Sequence, residues 1–349
     1  NKTVHASSTG GSGTDTITVN GSGTFNVTTA LIASGSDSVD GLSGFETKTL
    51  NGTGTDTLVG PASSTYSLTG SKAGSVAGIN FASIETITGG AGTLASPAAG
   101  ASYALSGNNA GTVLDIGFTN INTITGSAGT DTIVSPASAT AYALSGNKAG
   151  SVLGVNFTSV DIITGGAGSD SINGPAFATT FNVTGSASGN VLGISYSSIE
   201  SLNGGAANGD TVNGPTAGTT YTLSATNAGS FSGISFTGIE NVTGGVGNDI
   251  FNLTSSATYG IISGGGGSSD TLNSSNVATT FTITGPNAGT VKEGATPILT
   301  FTAMENLVGG TASDLFVFND AVTTGVSNIT GNGSTDLLDY SAWGSANPV

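Results

Sequence analysis

Cysteine and arginine are both absent from this 349-residue chain, and histidine, tryptophan and methionine occur once each. Without cysteine there are no disulfides and no thiolate chemistry. The five cations are all lysine, set against 21 carboxylates, for a net charge of -16. Nucleic-acid binding needs clustered cations that displace counterions, so that partner class is excluded. Anionic membrane surfaces are disfavoured for the same reason. With His5 as the single histidine and no G-x-S-x-G elbow, a Ser–His–Asp site lacks its base. Sugar-cleaving sites need a basic residue, or clustered acids beside aromatic platforms, and Trp343 stands alone. No cofactor is required by anything in the chain, and an enzyme is not expected. A transmembrane run and a signal peptide are missing too, so membrane insertion is not expected and the chain reads as a mature or excised stretch.

What the chain does contain is glycine, 58 of them, together with abundant Thr, Ser and Asn and only 7% charged residues. Regularly spaced Ile, Leu, Val and Phe distinguish it from a disordered Gly/Ser linker. Thr and β-branched residues favour strands, and glycine marks the corners between them. No sustained helical period is present.

Internal repetition dominates. Prolines recur at Pro61, Pro97, Pro136, Pro175 and Pro215. One aromatic recurs at Tyr66, Tyr103, Tyr142, Phe181, Tyr221 and Phe281, and a second at Phe81, Phe118, Phe157, Tyr196, Phe236 and Phe301. The unit is 37–40 residues long, and Ala128-Gly129, Ala149-Gly150 and Ala167-Gly168 divide it into spacings of 21 and 18. This predicts an all-β, right-handed parallel β-solenoid with coils of about 19–20 residues, two coils per repeat. About 18 coils would make a rod on the order of 85 Å long. Residues 1–349 are read as one continuous array: divergent coils over 1–51, five regular repeats over 52–245, divergent repeats over 246–339 and a tail over 340–349. The alternative, a string of four-stranded sandwiches of one repeat each, gives modules too small to be stable alone. Ile84 and Ile87, three apart, can both point inward only across a bulge or corner.

Several stretches match the nonapeptide GGxGxDxUx, U being a large apolar residue. Gly10–Thr18, Gly165–Asn173 and Gly244–Asn252 match fully, and Gly265–Asn273, Gly309–Val317 and Gly331–Asp339 match nearly. The motif is similar to that of RTX-type calcium-binding β-rolls, where glycine carbonyls and aspartates hold Ca²⁺ between turns. The longer phrase YTLSATNAGSFSGISFTGIENVTGGVGND (Tyr221–Asp249) has a looser copy in FTITGPNAGTV (Phe281–Val291) with FTAMENLVGGTASD (Phe301–Asp314). It resembles the repeats of filamentous-haemagglutinin-like exoproteins and large biofilm-matrix adhesins, and versions of it cover most of residues 52–320. That resemblance implies a right-handed β-helix exported to the surface of a Gram-negative bacterium, with this chain as an internal stretch of shaft.

Four sets of residues invite a functional reading. The first is the motif aspartates. At Asp15, Asp37 and Asp56, at Asp249 and Asp270, and at Asp314 and Asp336 they fall about one coil apart, close enough for neighbouring carboxylates to share Ca²⁺ or repel. The competing reading is that each aspartate caps a turn by accepting backbone N–H bonds. The second set is Glu85, Asp161, Glu200, Glu240 and Glu305, interrupted by Asn122. It is either an acidic stripe for a cationic partner or a solvated face that keeps edges apart. The third is the paired threonines such as Thr86/Thr88 and Thr123/Thr125, which suit an ice-binding row or ordinary β-propensity. The fourth is Lys72 and Lys148, in matching SKAG and NKAG turns, which suits a repeated surface position. The expectation is a structural, adhesive extracellular protein. Its partners would be surface or matrix polysaccharide or neighbouring copies of itself, joined head to tail or laterally.

Overall fold

A computed structural model describes residues 3–5, 16–27, 31–34, 37–40, 47–254, 257–319 and 326–342. Among them every regular element is a β-strand. The chain falls into two compact units, residues 1–168 and 169–349.

The repeat around Pro136 shows how the sequence makes the strands. A short strand Thr132–Val134 follows the aspartate turn, then Ala141–Gly146, Ala149–Val152 and Val155–Thr158 form an antiparallel meander. Ile162–Thr164 completes the unit. The strands alternate buried and exposed residues with period two, so each has one apolar face. Val152 and Val155 are joined by Leu153 (φ 45°) and Gly154 (φ 75°), the two positive φ angles that a tight hairpin turn requires.

The strands assemble into two ladders per unit. In the N-terminal unit, one ladder runs through Thr24↔Thr57, Thr57↔Thr86 and Thr86↔Gly117, all parallel. It crosses the meander of residues 102–119 and continues through Ser102↔Thr132 and Thr132↔Ile162. The other ladder holds Thr49↔Asn80, the meander of residues 65–82, Thr65↔Thr93, Thr93↔Thr123, Thr123↔Asn156 and the meander of residues 141–158. The C-terminal unit repeats the plan. Ser171↔Ser201↔Ser235 leads through the 220–237 meander to Thr220↔Ile250↔Thr271↔Asn306↔Asn328. Its second ladder joins the 180–197 meander to the 279–302 meander through Thr180↔Thr211↔Asn241↔Ile261↔Thr300. Because parallel pairing passes from each repeat to the next, the strands form a β-solenoid and not separate sandwiches.

One detail differs from the spacing seen in the sequence. Stacked residues in the N-terminal unit lie 28 to 35 positions apart, not 19–20. The meander is the reason: three strands are laid on one ladder before the chain crosses back. A repeat is thus one and a half turns, and the successive meanders 65–82 and 102–119 lie on opposite ladders. Offsets near the expected length occur where a meander is missing, as in Asn241↔Ile261 and Ile250↔Thr271. The three Ala-Gly pairs that suggested half-repeats do different jobs. Ala149-Gly150 opens the middle strand of the meander, whereas Ala128-Gly129 and Ala167-Gly168 lie in crossing turns.

The two ladders of each unit turn their apolar faces to one another, since a one-sided sheet must be covered. Tyr66 ties them together: its hydroxyl accepts from the Gly60 N–H at 2.9 Å and donates to Thr88 O at 3.2 Å on the opposite ladder. Both aromatic columns are internal, with ring stacking between Tyr221 and Phe251 (4.5 Å) and between Phe281 and Phe316 (4.9 Å). Ile84 and Ile87 are both fully buried: Ile87 lies on the strand Thr86–Ala95, whereas Ile84 lies in the break between it and the strand Ile79–Ala82, so the two do not share one regular strand. The glycine of the meander's middle strand is a contact requirement. A Cβ on Gly150 would sit 2.5 Å from Ala143 O and 2.8 Å from the Phe157 ring, and Gly111 has the same constraint against Phe118. Gly146, by contrast, faces open space.

Replacing Gly150 by Ala is therefore expected to cost about 1–3 kcal/mol from overpacking. Gly146→Ala should leave the chemical-denaturation midpoint nearly unchanged, which makes it the control.

Candidate functional site

Each crossing between ladders leaves backbone N–H groups without a strand partner, and inside a protein an unmet donor is costly. The motif aspartate meets this need. Asp131 is fully buried; its Oδ1 accepts from the Ala101 N–H (2.8 Å) on the preceding rung and its Oδ2 from the Ser127 N–H (2.6 Å) of its own turn. The same pair of bonds is made by Asp56 with Gly23 and Gly54, Asp249 with Thr219 and Gly245, and Asp314 with Thr279 and Gly310. The first glycine of the motif is where this carboxylate packs. A Cβ on Gly126 would meet Ser159 O and Asp131 Oδ2, and one on Gly244 would meet Gly264 O and Asp249 Oδ2.

The glutamate row is the second half of this device. The Asp131 N–H donates to Asp161 Oδ2 (3.0 Å) while the Asp161 N–H returns a bond to Asp131 O (2.9 Å). Asp56 pairs in this way with Glu85, and Asp170 with Glu200. The Asp210 N–H likewise donates to Glu240 and the Asp270 N–H to Glu305. The row is thus a set of caps on the following rung as well as an acidic surface. A third position faces the row from the first turn of the meander. It is Lys72 opposite Glu85 (3.0 Å), Lys148 opposite Asp161, Asn109 opposite Asn122, Asn227 opposite Glu240 and Asn287 opposite Glu305. The recurring SKAG and NKAG phrases carried that signal, but only as a repeated surface position.

Of the residues singled out for calcium, Asp15 lies outside the described residues, and only the strand placement of Asp37 is described. Asp249 and Asp270 are brought to neighbouring rungs, the Asp249 N–H donating to Asp270 Oδ1 at 2.7 Å. Asp314 and Asp336 are joined the same way at 2.9 Å. Asp56 has Glu85 as its acidic neighbour. Asp56, Asp249 and Asp314 spend both carboxylate oxygens on backbone donors, and Asp270 and Asp336 each give one oxygen to the N–H of the preceding aspartate. No group of three or more His, Cys, Asp or Glu poised to hold a metal ion occurs among the described residues.

Electrostatics divide the acids into two kinds. Burial raises the carboxyl pKa of Asp210, Asp249, Asp270 and Asp314. Glu305 and Asp249 add to the rise at Asp270, and Asp336 adds to it at Asp314. The Lys72 ammonium lowers that of Glu85, and Lys148 lowers that of Asp161. No family model, curated protein or solved structure matches the chain.

Asp131→Ala would orphan two backbone donors and is expected to lower stability by about 1–3 kcal/mol for each. Asp131→Asn, which keeps an acceptor for the Ala101 N–H, should cost less. Guanidinium denaturation of the two variants checks the order.

Proposed function

We propose that this protein is a structural and adhesive repeat shaft that works outside the cell, on the surface of a Gram-negative bacterium or in the matrix around it. The observation that carries the reading is where the charges lie. The caps at the crossings take up the acids, while the outward faces of the ladders present Thr, Ser and Asn in register. Asn213 donates to Asn182 at 2.8 Å and Asn273 to Asn252 at 2.6 Å, so these faces carry rows of uncharged amides and hydroxyls, with few charges such as Lys48 and Lys292 among them. Such rows suit lateral contact with neutral polysaccharide or with another copy. Support also comes from the Tyr221–Asp249 phrase and its resemblance to surface exoproteins. The rung Leu337–Asp339 adds an axial contact: Leu338 stacks in register on Phe316 yet is 46% exposed. A further coil, from a neighbouring copy or a continuing chain, fits there.

A calcium-ordered module is the second reading, favoured by the succession Asp249, Asp270, Glu305. Turn capping is the first, and under it the melting temperature is unchanged between calcium and EDTA. A rise with calcium would favour the second.

The purified chain is expected to bind insoluble polysaccharide or to form filaments that lengthen with concentration in electron micrographs. It should release no reducing sugar from exopolysaccharide. Sugar release would overturn the structural reading, and so would short uniform rods at every concentration together with no glycan binding.

A further inference from the structure

Two departures from the repeat lie side by side in the C-terminal unit. The second hairpin of the 279–302 meander is lengthened: its arms run Ala288–Glu293 and Thr296–Thr302, where Ala149–Val152 and Val155–Thr158 have four residues each. On the neighbouring rung the chain passes from Ile250–Leu253 to Ile261–Ser263 without a meander, and Ile261 pairs with Thr300 of the long hairpin. Departures of this kind in a repeat array collect on binding faces. Between these two lies an open groove of about 470 Å³, within the range of small-ligand sites.

A β-bulge shapes the groove. Val291 pairs with Leu299 but Lys292 pairs with Pro297, so Ile298 is left over. Ile298 and Leu299 are consequently both buried, and Ile298 O accepts the Tyr259 N–H at 2.8 Å. The Tyr259 hydroxyl is held as well, donating to Ala228 O at 2.5 Å. Tyr259, Pro297, Ile298 and Leu299 give the groove an apolar floor. Above it stand the cross-strand pairs Thr290 with Thr300 and Lys292 with Pro297, and Thr258 completes the rim.

Lys292 is the one cation of residues 169–349, a stretch with twelve carboxylates. The acid beside it does not neutralise it. Successive strand residues point to opposite faces, and Glu293 Oε1 accepts from the buried Ser275 hydroxyl at 2.5 Å. The ion pairs found among the described residues are those of Lys72 and Lys148, so the exposed Lys292 ammonium meets the groove without a carboxylate partner there. An acidic chain repels anions over most of its surface, and a lone cation among hydroxyls admits a single negative group on an otherwise polar ligand. A pyranose with a carboxylate has that chemistry: an apolar C–H face, a rim of hydroxyls and one charge.

We propose that this groove is a subsite for a carboxylate-bearing sugar of an acidic polysaccharide. Lys292 holds the carboxylate, Thr258, Thr290 and Thr300 meet the ring hydroxyls, and Tyr259 and Pro297 lie against the apolar face of the ring. The subsite rests on the adhesive reading and adds to the neutral ladder faces one place that selects charge.

Titration calorimetry of the full chain in EDTA with oligogalacturonate tests it, with cello-oligosaccharide of equal length as the neutral control. The uronate should bind more tightly than the neutral oligomer. Lys292→Gln should weaken it on the order of tenfold, the effect of losing one charge-assisted contact, and Lys292→Arg should retain it. Lys148→Gln, which removes the same charge from the other unit, should leave uronate binding unchanged. No preference for the uronate, or a preference untouched by Lys292→Gln, would overturn the subsite. Equal losses in Lys292→Gln and Lys148→Gln would overturn it too, since attraction would then depend on overall charge. Binding of the same preparations to insoluble neutral polysaccharide, or their assembly into filaments, separates failure of the subsite from failure of the adhesive reading.

Discussion

Everything in this protein depends on satisfying the backbone where the chain crosses from one ladder to the other. Along the ladders parallel pairing does this, but a crossing turn has no strand beside it. A buried carboxylate at Asp56, Asp131, Asp249 or Asp314 supplies the missing acceptors to its own turn and to the rung before. The acid on the following rung then receives the aspartate's own N–H. Small side chains around each crossing let the carboxylate reach its donors, which is why glycine precedes it by five or so residues in repeat after repeat.

That arrangement explains a chain that is both acidic and rich in glycine. Burial raises the carboxyl pKa of Asp210, Asp249, Asp270 and Asp314, which serve as acceptors at their crossings. Lys72 and Lys148 pair instead with Glu85 and Asp161, the acids of the following rung, where Asn227 and Asn287 meet Glu240 and Glu305. The faces of the ladders stand apart from this, because their outward side chains are mainly Thr, Ser and Asn and their Asn rows hydrogen-bond along the rungs.

Much of the architecture was legible in the residues. The recurrence of Tyr66, Tyr103 and Tyr142 with Phe81, Phe118 and Phe157 marked two internal columns, and all six are buried. The three-residue spacing of Ile84 and Ile87 required a break in regular strand geometry, and Ile84 lies in the break between the strands Ile79–Ala82 and Thr86–Ala95. Turn capping by the motif aspartates was one of two open readings, and the geometry of Asp131 gives it a hydrogen-bond basis. The cap formed by Glu85, Asp161, Glu200, Glu240 and Glu305 was not legible, because its donors lie about thirty residues upstream.

The sequence by itself determined that strands would stack in repeats around aromatic columns, since period-two burial, glycine corners and a recurring aromatic are local properties of the chain. It could not determine the length of a turn. The Ala-Gly pairs at 128, 149 and 167 look equivalent in sequence, yet only the second begins a strand that runs antiparallel between two others. Whether such a segment folds back on its own ladder or crosses to the other depends on which rung lies beside it. That neighbour is supplied by chain thirty residues away, so only the tertiary structure could decide it.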